Sequence, residues 1–321
     1  MKVVVLGATG FIGRNVLEYL ATRSDMSLVA VHFSRPSFEL PDAKAQIVWV
    51  RGDLRIPEFC DLVLENADVV IQAAAVTSGA KDAVERPWIH ATDNAIMNSC
   101  ILRSAHLGSV NHFLFLSCTV MYPDREEPWR EDEWCKSMPI NPKHLGGGLT
   151  KVYIEEMARF FAGLSNMRVT IVRHSNIFGP YDRFGEGNSH VCAATISKVI
   201  SSQGEIVVWG EGKEKRDLLF VGDLCEFIES AIMCQKAKYR IYNCGSGRAV
   251  SIKELAELVI KCANKDVEIV YDPSKPTVPS ALSLDTKLAR EELGWHASTS
   301  LEKGLLLTID WFLKNGHEFR V

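Results

Sequence analysis

Gly7-Ala8-Thr9-Gly10-Phe11-Ile12-Gly13 follows the apolar run Lys2–Leu6 and opens an amphipathic stretch that continues to Thr22. Strand, glycine-rich turn and helix in this order make an anion cradle. The glycines allow the tight turn and the close approach of a pyrophosphate, which then sits against the helix N-terminus. Gly7, Thr9, Gly10, Phe11, Ile12 and Gly13 are therefore the expected contacts of a dinucleotide. A glycine turn also exists without any ligand, but its place between a first strand and a first helix favours nucleotide binding.

Working outward, short apolar strands alternate with longer amphipathic stretches through the first half, the pattern of a parallel sheet covered on both faces. Strands are expected at Lys2–Leu6, Leu28–Phe33, Ile47–Val50, Asp68–Ala74, His112–Ser117 and Val169–Arg173, and helices at Phe11–Thr22, Trp88–Leu107 and Leu149–Phe161. Later helices fall near Ser189–Ile200, Asp223–Cys234, Ser251–Cys262 and Leu301–Leu313, with strands at Glu205–Trp209, Arg240–Asn243 and Val267–Tyr271. The fold class is α/β. Residues 1–173 are expected to form a doubly wound parallel Rossmann sheet, to which parts of 218–246 return, and 174–321 mainly a smaller α/β substrate-binding domain.

The chain has 321 residues, enough for a full core, and 47% hydrophobic with 24% charged residues is an ordinary globular balance. A net charge of −4 gives no electrostatic case for nucleic acid or an anionic membrane, so any phosphate must be held by a local pocket. Nine cysteines without a Cys-x-x-Cys pair suit a reducing compartment, and no metal site is expected. Met1–Leu6 lacks the length and cleavage site of an export signal, and no apolar run nears the roughly 20 residues that span a bilayer. The expected setting is cytoplasmic.

The end of the second strand bears on cofactor choice. A carboxylate there would accept from the adenosine ribose and favour NAD(H). His32-Phe33-Ser34-Arg35 has none, and Arg35 is suited to a 2′-phosphate, so NADP(H) is the expectation, over NAD(H). Asp53 and Leu54 after the third strand suit an adenine contact. Ala73, Ala74 and Ala75 after the fourth place small residues beneath a cofactor.

Further motifs carry a resemblance: Ala74-Ala75-Val76, Phe115-Leu116 through Tyr122-Pro123, Asn176-Ile177-Phe178-Gly179-Pro180, Asn188-Ser189-His190-Val191, Val207-Val208-Trp209-Gly210, Asp272 to Pro276 and Leu293-Gly294-Trp295. In these, nearly end to end, the chain resembles the extended short-chain dehydrogenases of the nucleotide-sugar epimerase/dehydratase family, and within it the GDP-L-fucose synthase branch. The resemblance implies a nucleoside-diphosphate sugar as partner. It assigns substrate contacts to Val76, Asn188, His190, Lys198, Trp209 and Arg216, and further cofactor contacts to Lys151, His174, Asn176 and Ile177. The chemistry of these side chains agrees: a lysine and an arginine neutralise a diphosphate, and a tryptophan offers a flat apolar face. It also implies a homodimer through the helices Trp88–Leu107 and Leu149–Phe161.

The catalytic positions depart from that pattern. Gly147-Gly148-Leu149-Thr150-Lys151 stands where the family has Tyr-x-x-x-Lys, so the lysine is kept and the phenol is not. The family's serine or threonine falls on Cys118, with Thr119 beside it. The cysteine that acts as an epimerisation acid/base in the fucose synthase branch falls on Val120, while its histidine is present as His190. Near Pro279–Ser283, where that branch has an Arg-Lys pair, this chain has Ala281 and Leu282. Cys118, Thr119, Lys151 and His190 are the expected catalytic set. Proton transfer through His190, Cys118, ordered water or His144 remains open at this point. So does a catalytically silent binding protein, or a Tyr-to-Gly inactivated form. Loss of one positioned proton-transfer group costs about 10²–10⁴ in rate.

Overall fold

The first β-strand is apolar on both faces, and the structure gives the reason. Val3 and Val5 point into one buried cluster while Val4 and Leu6 point into another on the opposite side of the sheet. A strand covered on both faces reads as a continuous apolar run. The structure, a computed structural model, describes residues 1–76, 88–185, 189–275 and 281–316, with the backbone alone of Ile89 and His90.

Among the described residues the strands are β1 (Lys2–Leu6), β2 (Ser27–His32), β3 (Gln46–Arg51), β4 (Val69–Gln72), β5 (His112–Cys118), β6 (Arg168–His174), β7 (Asn176–Phe178), β8 (Glu205–Trp209), β9 (Lys215–Phe220), β10 (Tyr239–Cys244), β11 (Ala249–Ser251) and β12 (Glu268–Asp272). Seven of them form one parallel sheet in the order β10-β6-β5-β4-β1-β2-β3. The order reverses between β1 and β4, and that crevice is where open α/β sheets place ligands. Two small sheets, β11-β9-β7 and β12-β8, complete the smaller C-terminal part.

Helices cover both faces. α1 (Phe11–Ala21) lies on one face of the sheet; α2 (Pro57–Leu64), α3 (Trp88–Leu107) and α4 (Leu145–Leu164) lie on the other. In the second part follow α5 (Val191–Ser201), α6 (Val221–Cys234), α7 (Ile252–Ala263), α8 (Lys287–Leu293) and α9 (Leu301–Asn315). α6 and α8 join α1 on the first face, while α5, α7 and α9 enclose a separate cluster around Phe178, Ile196, Leu255 and Phe312. The doubly wound Rossmann sheet with a smaller α/β part is thus the observed architecture.

Several boundaries differ from the sequence reading. α4 begins at Leu145, not Leu149, and runs through three glycines. Asn141 accepts from the Lys143 amide at 3.0 Å in a 3-10 turn, Pro142–His144, that feeds directly into it. Glycine propensity, about 1 kcal/mol each against helix, is overridden by that preceding turn. α2, β7, β9, β11 and α8 were not expected; α2 is only eight residues, β7 and β11 are three each, and β9 starts on the charged triplet Lys215-Arg216-Asp217. No helix of the described residues is long and apolar enough to cross a membrane.

The glycine turn is packed to the limit. Gly7 has φ +79°, and a Cβ there would lie 2.7 Å from Ala74 Cα, while a Cβ on Gly13 would lie 2.1 Å from the Gly7 carbonyl oxygen. Gly13→Ala is expected to cost about 1–3 kcal/mol by overpacking, read as a lower urea midpoint at unchanged slope. Gly163→Ala, where nothing lies within 4 Å, is the control and should not lower the midpoint. Equal midpoints for both variants would contradict the packing described.

Candidate active site at the carboxyl edge of the sheet

The cradle comes first. Gly10 caps α1 with no side chain of its own, so no side-chain cap takes up the first amides of the helix. Its amide donates to the Gly7 carbonyl at 2.9 Å, and Ala73 N donates to Leu6 O at 3.1 Å. The turn and the end of β4 are thus locked together, with Thr9, Phe11 and Ile12 partly buried around them. This close-packed, Cβ-free surface fits the pyrophosphate of a dinucleotide.

Around it, Arg35 Nη1 donates to Thr9 O at 3.4 Å, and its exposed guanidinium is disfavoured by neighbouring burial and by Arg183. Asp53 is paired with Arg55. Its carboxylate accepts from Arg55 Nε and from Arg55 Nη2 at 2.7 Å, and Arg55 Nη1 reaches Asp93 at 3.1 Å. Leu54 is 7% exposed. Ala74 N donates to Gln72 Oε1, and Val76 is held by paired hydrogen bonds with Asn94. Ala75 is exposed.

The second group gathers where β5 and β6 end. Lys151 Nζ donates to Leu116 O at 2.8 Å and lies 4.5 Å from the centre of the Phe115 ring. Burial among protein pulls its pKa below the ordinary lysine range, with Cys118 and Glu155 acting against that. Cys118, partly accessible, is the Cα partner of His174 across the β5–β6 ladder. Thr119 follows, its carbonyl accepting from Tyr122 N. One turn before Lys151, Gly147 has nothing within 4 Å of where a Cβ would stand, whereas a Cβ on Gly148 would meet Ile140 at 2.8 Å. A Cβ at position 147 would stand in open space, and no phenol is carried there.

His190 lies just before α5, and its Nδ1 is 3.1 Å from Asp182 Oδ1. The hydrogen bond to that buried carboxylate raises the histidine pKa, against the opposing effect of burial. His190 has 69% of its side-chain surface open, while Asp182 is buried. Asn176 Nδ2 donates to Asp217 O at 3.3 Å, and Ile177 is 5% exposed. Lys198 Nζ donates to Val207 O at 3.1 Å and lies 5.7 Å from the Trp209 ring centre, so these two do come together. Arg216, on β9, donates through Nη1 to Lys215 O and lies within electrostatic reach of His144 and Asp124. Asn188 lies outside the described residues.

The sequence reading missed what supports these groups. Glu155, one turn after Lys151, accepts from Ser117 Oγ at 2.6 Å and from Arg173 Nη2 at 2.7 Å, and both charged side chains are only 2–3% exposed. Arg173 Nη1 donates to Tyr122 Oη, which donates to Asn243 Oδ1. Burial pushes the Tyr122 phenol up to about 12. Tyr122 stacks on Trp129, ring centres 5.2 Å apart, and Trp129 bridges to Leu284. The signal was present: an arginine inside the apolar strand Val169–His174 needs a buried partner. Ala281 and Leu282 sit in this same layer, with Ala281 O accepting from Arg125 N and Leu282 in the apolar cluster with Tyr122.

Residues 3–245 match the NAD dependent epimerase/dehydratase family, and the chain belongs to it. The class is that of the NAD(P)-dependent, nucleotide-sugar-modifying epimerases and dehydratases. Among individual proteins, the chain is similar to GDP-L-fucose synthase of Escherichia coli (strain K12), 27% identical over 99% of this chain and 98% of that one. It is also similar to GDP-mannose 3,5-epimerase of Arabidopsis thaliana, 25% identical over 97% and 82%. In fold it is similar to the UDP-glucose 4-epimerase of Thermotoga maritima solved with UDP-glucose, with a TM-score of 0.84 at 26% identity, covering 98% of this chain and 99% of that one. Different reactions stand at nearly equal identity, so the family is shown and the fucose synthase branch is one of several.

The expectation of NADP(H) is corrected. Three solved structures of the same fold hold NAD: MoeE5 with UDP-glucuronic acid, the Bifidobacterium longum UDP-glucose 4-epimerase with UDP, and the Bacillus anthracis dTDP-glucose 4,6-dehydratase. TM-scores are 0.83, 0.82 and 0.80 at 24%, 21% and 20% identity. They favour NAD(H). The expectation rested on Arg35 alone, whose guanidinium donates to the Thr9 carbonyl at 3.4 Å. An arginine after the second strand is therefore no sign by itself of a 2′-phosphate.

The buried pair makes a stability prediction. Glu155→Ala leaves Arg173 charged and uncompensated and should cost about 3–5 kcal/mol. A double replacement, Glu155→Leu with Arg173→Met, should recover most of that loss in a denaturant titration. A single variant as stable as the parent would refute the pairing.

Proposed function

We propose that this chain is an NAD(H)-dependent epimerase or reductase acting on a 4-keto nucleoside-diphosphate sugar, with its proton chemistry rebuilt around the glycine at 147. The observation that carries this reading is Lys151 beside Cys118 and His174 at the sheet edge while position 147 is open. Residues 1–173, with β10, would form the cofactor half, and 174–321 mainly the substrate half.

The cofactor, when bound, supplies a hydride acceptor or donor. The chain supplies the rest. Gly7, Thr9, Gly10, Phe11, Ile12 and Gly13 hold a pyrophosphate with backbone amides and without a steric barrier. Asp53, Leu54 and Ala73–Ala75 form the adenine and ribose wall, while Lys151, His174, Asn176 and Ile177 line the nicotinamide end. Lys198 and Arg216 neutralise the sugar-nucleotide diphosphate, Trp209 offers its 51% exposed face to base or sugar, and Val76, Asn188 and His190 complete the pocket. His190, held by Asp182 and favoured in its charged form, is suited to donate a proton.

Exposed apolar side chains on the paired helices α3 and α4, among them Ile96, Leu149, Tyr153 and Phe160, support a homodimer through a four-helix bundle. Nine free cysteines support a reducing, cytoplasmic setting.

A second reading, a silent binding protein, draws on the same open position. Gly147→Tyr separates the two, because a side chain can leave the backbone there without a clash at Cβ. A chain rebuilt around the opening should lose at least about tenfold of its turnover, since the ring displaces whatever occupies that space. A silent chain should instead gain slow carbonyl reduction with NADH. Turnover of a 4-keto nucleotide sugar is measured for parent and variant, with binding checked by calorimetry. Unchanged turnover in a folded, ligand-binding variant would mean that position 147 does not face the reacting carbon.

A further inference from the structure

Two consecutive residues of α1, directly after Gly13, reach across to the segment that carries Asp182. Asn15 Nδ2 donates to Phe11 O in the glycine cradle and to Pro180 O, both at 2.9 Å. Beside it, the Arg14 guanidinium carbon lies 4.0 Å from the ring centre of Phe38 and 3.8 Å from that of Tyr181. Glu18 accepts from Arg14 Nε at 2.9 Å. Trp311 of α9 also packs on the Tyr181 ring, with ring centres 4.8 Å apart. Tyr181 has φ +68°, a left-handed backbone that a residue with a Cβ seldom takes and keeps only where its surroundings impose it. The next residue, Asp182, is 1% exposed. Its Oδ1 accepts from Arg183 N at 2.8 Å and lies 3.1 Å from His190 Nδ1, while its Oδ2 has no hydrogen-bond partner among the described residues. A buried carboxylate with an unsatisfied oxygen is costly and turns to water where its backbone is loose. Its place therefore depends on the chain that carries it.

We infer that Arg14 and Tyr181 are positioning residues: stacked on each other between Phe38 and Trp311, they fix segment 179–184 and so hold the Asp182 carboxylate on His190. The inference rests on the reading of His190 as proton donor, and it traces the donor's placement to α1, the helix of the glycine cradle. Among the described residues, the charged and titratable groups coupled to His190 are Asp182 and Arg183 from this segment and His174 from the end of β6. The hydrogen bond to Asp182 raises the His190 pKa; burial and Arg183 oppose it. Loosening the segment weakens that bond, so the His190 pKa falls toward the ordinary value near ~6.5. Less of the donor is then protonated at neutral pH. Arg14 is itself a cation, so loss of its charge acting through space would raise the His190 pKa. The two effects have opposite signs.

The test is an NMR titration of the full chain without added ligand, with carbon-13 at Cε1 of its histidines and the His190 resonance assigned by its loss in His190→Gln. The parent midpoint should lie above ~6.5, and Asp182→Asn should lower it by at least about one pH unit. Arg14→Leu and Tyr181→Gly should each lower it by at least about half a pH unit. Tyr181→Phe, which keeps the ring, should hold the parent's value. A midpoint unmoved or raised in folded Arg14→Leu overturns the inference, and so does one indifferent to Asp182→Asn. Should Arg14→Leu not fold, Tyr181→Gly decides, because glycine takes φ +68° without strain and loses the side chain alone; an unmoved midpoint there overturns the inference as well. The titration needs no substrate, so it is independent of turnover. A parent and variants that titrate as stated uphold the positioning even if no 4-keto nucleotide sugar is turned over, an outcome that would sink the reaction reading instead.

Discussion

Arg173 and Glu155 are buried together against the end of the central sheet, and the floor of the site depends on them. Taking two charges out of water costs several kcal/mol each, which only close pairing and full hydrogen bonding offset. Here both conditions are met: the carboxylate takes Ser117 as well as the guanidinium, and the guanidinium also donates to Tyr122. The pair therefore ties α4 to β5 and β6 at the level of Lys151 and Cys118. Through Tyr122 and Asn243 it reaches the Trp129 and Asp285 carbonyls as well. One ion pair sets the spacing between the lysine's helix and the strand ends that face it.

The other side of the crevice depends on exclusion instead of pairing. Gly7 and Gly13 leave no space for a side chain, so the turn packs directly on the backbone at Ala73 and Ala74 and on itself, while no side chain caps the first helix. The glycine turn lies at the reversal of strand order between β1 and β4, where the Rossmann sheet places its ligand, and the ion pair lies further along the same sheet at β5 and β6.

Much of this was legible in the chain. The glycine turn, the apolar strands and the paired long helices carry local signals of turn, period and length, and the sheet followed from them. What escaped had no local signal or a misleading one. Three glycines at 146–148 speak against the helix that a preceding capped turn starts. α2 is too short for its period to register. The pairing of His174 with Cys118 had no local signal either, because it depends on strand register. Arg35 misled most, since the sequence gives its charge but not the direction in which its guanidinium turns. The Arg-Lys pair missing near 281 has a structural counterpart: Leu282 packs with Tyr122 and Trp129.

The central claim is that one cleft holds NAD(H) and a nucleoside-diphosphate sugar and exchanges a hydride between them without a phenol at 147. The direct measurement is calorimetric titration with NADH and with NADPH, followed by absorbance at the nicotinamide band as a panel of nucleoside-diphosphate sugars is added. The account predicts saturable NADH binding, at least about tenfold tighter than NADPH (about 1.4 kcal/mol), and a change at the band with at least one sugar. No NADH binding, tighter binding of NADPH, or a band unmoved by every sugar would contradict it.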